Sequence, residues 1–381
     1  MTDVVYPACV PELSDEHALL RAHRPADAGR VVEQSNDPAS LRWTTVPRPY
    51  GPGDAQEFLA HIEAQWNDPG GYRLWAVTDA SDPHHRYLGT IDARPGPRGT
   101  MEVGYGLHPE ARGRGLMASA LRLVCQWWFE AGGSRVHWRA LRGNFDSLRV
   151  AWSCGFRMHA TVPGLLPAPG DGPAEDAWLA SLGVDDVMEA MTPWEDPPVL
   201  TSAAAGGIRL RPWRDEDVEA VEARDPDQAA HLMPARGVLD AATFPEWLLA
   251  RRERMAAGAM VSWCVADADT DRCLGEVLVF THEGTLADDT AELGYQVLPS
   301  ARGRGVATGA ARRLVEHALT PRPGGGMGLR RLVAQTAEDN VASNRVLDGV
   351  GFTLWGTETA ADALPGGRTV DALHWELLVD S

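Results

Sequence analysis

The chain carries nearly the same sentence twice. Residues 101–115 read Met-Glu-Val-Gly-Tyr-Gly-Leu-His-Pro-Glu-Ala-Arg-Gly-Arg-Gly, and residues 291–305 read Ala-Glu-Leu-Gly-Tyr-Gln-Val-Leu-Pro-Ser-Ala-Arg-Gly-Arg-Gly. The offset is 190 residues and nine of the fifteen positions are identical. The match extends in both directions. Arg21, Arg24 and Asp27 recur as Arg211, Arg214 and Asp217; Leu74-Trp75-Ala-Val77 recurs as Ser262-Trp263-Cys-Val265; Leu88-Gly89 recurs as Leu274-Gly275. Downstream, Asn144-x-x-Ser147 and Gly155-Phe156 recur as Asn340-x-x-Ser343 and Gly351-Phe352 at offset 196, which marks an insertion in the second copy. The glycine-rich stretch Thr320–Gly328 is its expected place, as a loop. A period this long means duplicated domains rather than a solenoid.

The division expected from the repeat is an N-terminal domain over 1–191, a linker over 192–207 rich in Pro, Ala and Gly, and a C-terminal domain over 208–381. At 381 residues and 44% hydrophobic, both halves have material for a core. No apolar run approaches the ~18 residues of a membrane span, and the N-terminus has no basic region of the signal-peptide kind. The five cysteines are scattered and odd in number, which points to reduced thiols in a cytoplasmic protein and to no metal site. A net charge of −18 argues against nucleic acid and anionic membrane as partners. All 35 basic residues are arginine, so any cationic grip on phosphate is a guanidinium grip.

Within the first copy, Arg73–Ala80, His85–Arg94 and Gly99–Leu107 read as antiparallel strands separated by turn residues. Leu116–Ala131 reads as a helix, Arg135–Leu141 as a strand, and Ser147–Cys154 as a short helix stopped at Gly155. Asp186–Met191 is expected to be the last strand, answering Asp371–Leu377, and Pro173–Ser181 either a short helix that could act as a lid or an inert surface loop. Each copy is thus a mixed, mostly antiparallel sheet flanked by helices, of α/β or α+β class.

The chemistry lies where strand meets helix. Arg112-Gly113-Arg114-Gly115 precedes the helix opening Leu116-Met117, and Arg302-Gly303-Arg304-Gly305 precedes Val306-Ala307. Glycines let the backbone turn tightly, and the unpaired amides of the first helical turn sit at the positive end of the helix dipole. That combination holds a pyrophosphate. It is neither the dinucleotide fingerprint nor a Walker loop.

These motifs resemble the GCN5-related N-acetyltransferases (GNAT), in particular their RimJ/RimL-like branch, over roughly 15–191 and 205–380. The family's acyl-CoA motif, Gln/Arg-x-x-Gly-x-Gly/Ala, is complete in Arg302-x-x-Gly305-x-Ala307; the first copy has Met117 at the last position, a larger side chain near the pyrophosphate. The resemblance implies two tandem GNAT-type domains and acetyl-CoA (or another acyl-CoA) as cofactor. Pantetheine would lie between splayed central strands, and the loop amides would carry its pyrophosphate. Asn144 and Asn340 would hold the pantetheine or its attached chain. It implies direct attack of a neutral primary amine on the thioester.

For the base, the resemblance points to Glu102 and Glu292, which otherwise are surface strand glutamates. The Tyr that many relatives use as acid is replaced by Ala151 and Leu347. The acid would then be Ser147 and Ser343, hydroxyls that could equally cap the following helix. His374 could line the acceptor site or simply pack in its strand. The second copy, with the complete motif, is the expected catalytic one. The acceptor stays open between a small-molecule amine and a protein N-terminal amine, in a chain that could be a monomer with an internal pseudo-dimer. Two other readings fit the same residues: a non-catalytic CoA-binding sensor or scaffold, and a biosynthetic acyltransferase using a longer acyl-CoA.

Overall fold

The computed structural model describes residues 9–170, 172–201, 207–223, 238–281, 289–363 and 369–379. Internal contacts divide the chain into two units, Met1–Met191 and Thr192–Ser381. The N-terminal unit contains strands β1 (Leu13–Ser14), β2 (Ala18–Arg21), β3 (Arg73–Asp79), β4 (Gly89–Pro95), β5 (Thr100–Leu107), β6 (Arg135–Leu141), β7 (Arg157–Leu166) and β8 (Glu175–Gly183). Its helices are α1 (Ala28–Ser35), α2 (Pro38–Trp43), α3 (Pro52–Asn67), α4 (Leu116–Glu130) and α5 (Phe145–Ser153). The C-terminal unit contains β9 (Leu200–Thr201), β10 (Ile208–Arg211), β11 (Met260–Asp267), β12 (Cys273–Thr281), β13 (Thr290–Val297), β14 (Arg331–Ala337), β15 (Thr353–Ala363) and β16 (Thr369–Leu378). Its helices are α6 (Phe244–Ala256), α7 (Val306–Leu319) and α8 (Val341–Val350).

Each unit builds one eight-stranded sheet. The orders are β1-β2-β3-β4-β5-β6-β8-β7 and β9-β10-β11-β12-β13-β14-β16-β15, one order repeated. All neighbours are antiparallel except β5 with β6 and β13 with β14. On one sheet face Val277, Val279, Ala291, Leu293, Leu332 and Trp375 pack with Ala310, Leu314 and Leu347 of α7 and α8; on the other, Trp213, Phe244 and Trp247 pack with Cys264 and Ala266. Alternation along the strands turns Leu278, Phe280, Glu292 and Val333 to the other face.

The repeated Arg-x-x-Arg-x-x-Asp has a structural cause. Arg21 donates from Nη1 and Nη2 to Asp27 at 2.8 and 2.9 Å, and Arg211 does the same to Asp217 at 2.9 and 2.6 Å, all four side chains being buried. Asp27 and Asp217 also accept the amides of Arg24 and Arg214. Such a fork satisfies both charges where neither could be left alone.

Three expectations change. The closing strand of the first sheet is Glu175–Gly183, not Asp186–Met191, so Pro173–Ser181 is no lid helix. The run Ala177-Trp178-Leu179-Ala180-Ser181-Leu182 is almost wholly buried between β6 and β7, and a strand covered on both faces shows no alternation. Leu200–Thr201, inside the expected linker, pairs with β10. The Thr320–Gly328 insertion is a bonded turn: Met327 N–H donates to His317, Gly328 N–H to Thr320 and Leu329 N–H to Ala318.

Candidate functional site

The parallel pair at the middle of each sheet comes apart. β13 pairs with β14 only from Thr290–Glu292 to Arg331–Val333, yet stays paired with β12 through Val297. β5 pairs with β6 only from Thr100–Val103 to Arg135–Trp138, and with β4 through Leu107. Leu298 N–H donates to Leu274 C=O on the β12 side, so by alternation the amides of Tyr295 and Val297 point into the gap. An unpaired strand edge of this kind accepts an extended ligand the way a sheet accepts a strand.

At the end of the gap lies the arginine–glycine loop. Gly303 and Gly305 have φ of 70° and 76°, and Gly113 and Gly115 have 72° and 75°. A side chain at any of the four would meet open space, so the left-handed backbone is what calls for glycine there. Gly305 and Gly115 are the N-caps of α7 and α4, with no side chain covering the helix end. The first internal bonds are Gly309 N–H to Gly305 C=O and Ser119 N–H to Gly115 C=O. The amides ahead of them, including Val306 and Ala307 in one unit and Leu116 and Met117 in the other, form an anion-binding end.

In the C-terminal unit a cavity of about 690 Å³ joins these parts. Its wall includes Tyr295 and Val297 of β13, Arg302, Gly303 and Gly305 of the loop, Val306 and Ala307 of α7, and Asn340 and Ser343 of α8. Arg302 donates from Nε to Val297 C=O at 3.3 Å. Arg304 lies exposed on the loop, within electrostatic reach of Asp267.

Asn340 caps α8: its Oδ1 accepts Ser343 N–H at 3.2 Å, as Asn144 Oδ1 accepts Ser147 N–H at 3.2 Å for α5. The serines therefore sit inside the first turn, and the asparagines, not the serine hydroxyls, are the caps. Sequence reading missed a tyrosine in each unit. Tyr295 Oη donates to Ser343 C=O at 3.2 Å and Tyr105 Oη to Ser147 C=O at 2.8 Å, bracing the splayed strand against the helix. Burial pushes the Tyr295 hydroxyl up to about 12 and that of Tyr105 higher still, so both stay protonated donors. The repeated Glu-x-Gly-Tyr was the available signal.

The loop arginines of the N-terminal unit are held by carboxylates. In the N-terminal unit Arg112 Nη2 lies 2.6 Å from Asp37 Oδ2, and Arg114 pairs with Asp79. Asp37 is partly desolvated, which pushes its carboxyl up, yet Arg112 and the amides of Ala39 and Ser40 hold it below the usual range. Internal carboxylates thus occupy the guanidiniums that phosphate would need. Met117 is 2% exposed, packed inside rather than over the loop.

The candidate bases differ as well. Glu102 lies 3.1 Å from Arg94 Nη1 and 3.0 Å from Arg139 Nε. Register puts Phe280 and Gln335 beside Glu292 where the N-terminal unit has Arg94 and Arg139. His374 pairs across to Gln335 on the same face, with Nε2 3.4 Å from Glu358 and its ring 5.5 Å from that of Trp355. Among the described residues no group of three or more His, Cys, Asp or Glu could hold a metal, and no helix is long and apolar enough to cross a membrane.

Comparison with known proteins agrees with this geometry. The family model described as an acetyltransferase (GNAT) domain matches residues 17–157 and again 208–353. No curated protein matches the chain. Among solved structures, the chain is similar to the ribosomal-protein-S5-alanine acetyltransferase from Vibrio fischeri, at 22% identity, 46% of this chain, 97% of that one and a TM-score of 0.40. It is similar to Mycobacterium smegmatis RimJ in complex with CoA-disulfide, at 15% identity, 47% of this chain, 90% of that one and a TM-score of 0.41. It is also similar to RimL, a ribosomal L7/L12 alpha-N-protein acetyltransferase in complex with coenzyme A, at 19% identity, 48%, 99% and 0.41.

Proposed function

This chain belongs to the GNAT acetyltransferase family, whose domain it carries twice, and from that premise we propose that its C-terminal unit transfers an acetyl group from acetyl-CoA to a primary amine by direct attack. The observation that carries this reading is the 690 Å³ cavity that runs from the splayed edge of β13 to the bare amides of α7. Its two ends match the two ends of an acyl-pantetheine diphosphate. The Tyr295 and Val297 backbone pairs with the pantetheine amides; the loop amides and Arg302 and Arg304 hold the pyrophosphate. Acetyl-CoA supplies the activated acyl group.

Glu292 takes the proton of the incoming ammonium, directly or through water, so that the neutral amine attacks. An amide of the splayed β13 edge stabilises the oxyanion. The C–N bond forms and the C–S bond breaks; the Ser343 hydroxyl gives its proton to the leaving thiolate and regains one from the attacking nitrogen, so that the amide is neutral and the serine is restored. Replacing Glu292 by Gln is expected to lower kcat/KM by about 10²-fold or more while leaving acetyl-CoA affinity unchanged. Equal loss of both, or no loss, removes Glu292 from this role.

The N-terminal unit we read as a partner without turnover. The specific observation is that both loop arginines and Glu102 are held by internal ion pairs there. Adding acetyl-CoA to a Gly305→Glu variant tests this: the remaining unit is expected to release no CoA in the presence of amines.

A further inference from the structure

The two units build opposite surfaces at one and the same place, beside the first glycine of the opened strand. In the N-terminal unit that glycine is Gly104, which pairs with Asp92; a side chain there would stand 2.8 Å from the Asp92 carboxylate and 3.0 Å from the Arg94 guanidinium. In the C-terminal unit it is Gly294, which pairs with Leu278; a side chain there would stand 3.3 Å from the Phe280 ring and 3.4 Å from Leu278. Asp92 and Arg94, 2.8 Å apart, keep 15% and 39% of their side chains in solvent. Leu278 is 4% exposed and Phe280 half-buried.

This is the face away from α7 and α8, on the edge of the gap through which the thioester reaches its acceptor. Next to Phe280 across the strands stands Glu292, the proposed base, and next to Glu292 stands Val333. The outer side of the Phe280 ring is covered by the Arg254 guanidinium, 5.1 Å from the ring centroid. An acceptor lying here meets the half-buried Phe280 ring, Val333 and one carboxylate, above a buried Leu278 and beside the Arg254 guanidinium.

We propose that the C-terminal unit takes a monoamine carried on an aromatic or branched apolar skeleton. The proposal rests on the acyltransfer reading above and names its acceptor class. Apolar contact with Phe280 and Val333 binds the skeleton. Desolvation by the same groups disfavours the ammonium form, which helps Glu292 take its proton. A polyamine would bring a second ammonium group towards Arg254 and the apolar Phe280 and Val333, which among the described residues is a poor place for a second positive charge.

The test is steady-state acetylation by the full chain of 2-phenylethylamine, 3-methylbutylamine and spermidine, with acetyl-CoA binding measured in parallel. The expected kcat/KM for either apolar amine exceeds that for spermidine at least about tenfold, the scale of an apolar pocket's discrimination. Phe280→Arg, which installs the N-terminal unit's residue, is expected to erase that preference with acetyl-CoA affinity retained. Phe280→Leu is the milder variant: it should lower the rate for 2-phenylethylamine and spare 3-methylbutylamine. Spermidine turned over as well as the apolar amines, or a preference unmoved in both variants, overturns the acceptor assignment and leaves acyl transfer standing. Binding of acetyl-CoA with transfer to none of the three overturns this acceptor assignment, and no acetyl-CoA binding at all overturns the acyltransfer reading with it.

Discussion

At the scale of single residues, buried charge is the most informative quantity. Asp27 exists to complete the Arg21 fork, so Asp27→Ala strands a buried guanidinium and is expected to cost about 3–5 kcal/mol in urea unfolding, against about 0.5 kcal/mol for an exposed acid such as Glu57. Two titratable groups of the N-terminal unit pull stability in opposite directions with pH. Burial lowers His23 from 6.5 to about 4, so its contribution is present above pH 6.5 and is lost as pH falls toward 4. Burial raises Asp92 from 3.8 to about 6 against the pull of Arg94, so the neutral acid is favoured and stability is lost as pH rises through that window. Asp92→Asn removes the second slope, and its melting temperature should climb more steeply than the parent's between pH 4 and 6.5; an unchanged profile contradicts the assignment. The sequence made the Arg–Asp forks visible because they recur at one spacing. It could not reveal which asparagine oxygen caps a helix, nor that Tyr295 reaches Ser343, because both depend on where α8 meets β13 in space.

At the scale of elements, the device is a parallel strand pair that stops pairing after three or four residues. Hydrogen bonding to β12 holds β13 straight while β14 turns away, and the tyrosine brace holds the gap's floor. Tyr295→Phe loses one hydrogen bond, and about 0.5–1.5 kcal/mol of stability is expected to go with it, together with weaker acetyl-CoA binding. The strands and helices around the loop were legible because their apolar periods are regular. β8 was not, since Ala177–Leu182 is buried on both faces and lacks the period of either a strand or a helix. The pair Asp176-Ala177 answering Asp371-Ala372 was its signal: each aspartate carbonyl accepts an amide from the loop after the sixth strand of its unit, Arg142 in one unit and Glu338 in the other. Trp178 is 1% exposed. Trp178→Ala should therefore cost about 3–5 kcal/mol, where a surface lid would lose almost nothing.

At the scale of the whole molecule, duplication kept the scaffold and let the chemistry diverge. Both units keep the loop glycines, the helix caps, the tyrosine brace and the sheet order. They differ in what faces the ligands: Asp92 and Arg94 stand where the other unit has Leu278 and Phe280, and Asp37 stands against Arg112. The fold could be read from the repeat because a scaffold is preserved as pattern. The asymmetry could not, because Asp37 lies 75 residues from Arg112 and meets it only through the fold.

The central claim is that one of the two loops holds acyl-CoA, and calorimetric titration of acetyl-CoA into the full chain tests it directly. The account predicts a stoichiometry near one, abolished by Gly305→Glu and unaffected by Gly115→Glu. A stoichiometry near two, a single site that survives Gly305→Glu, or no binding at all would contradict it.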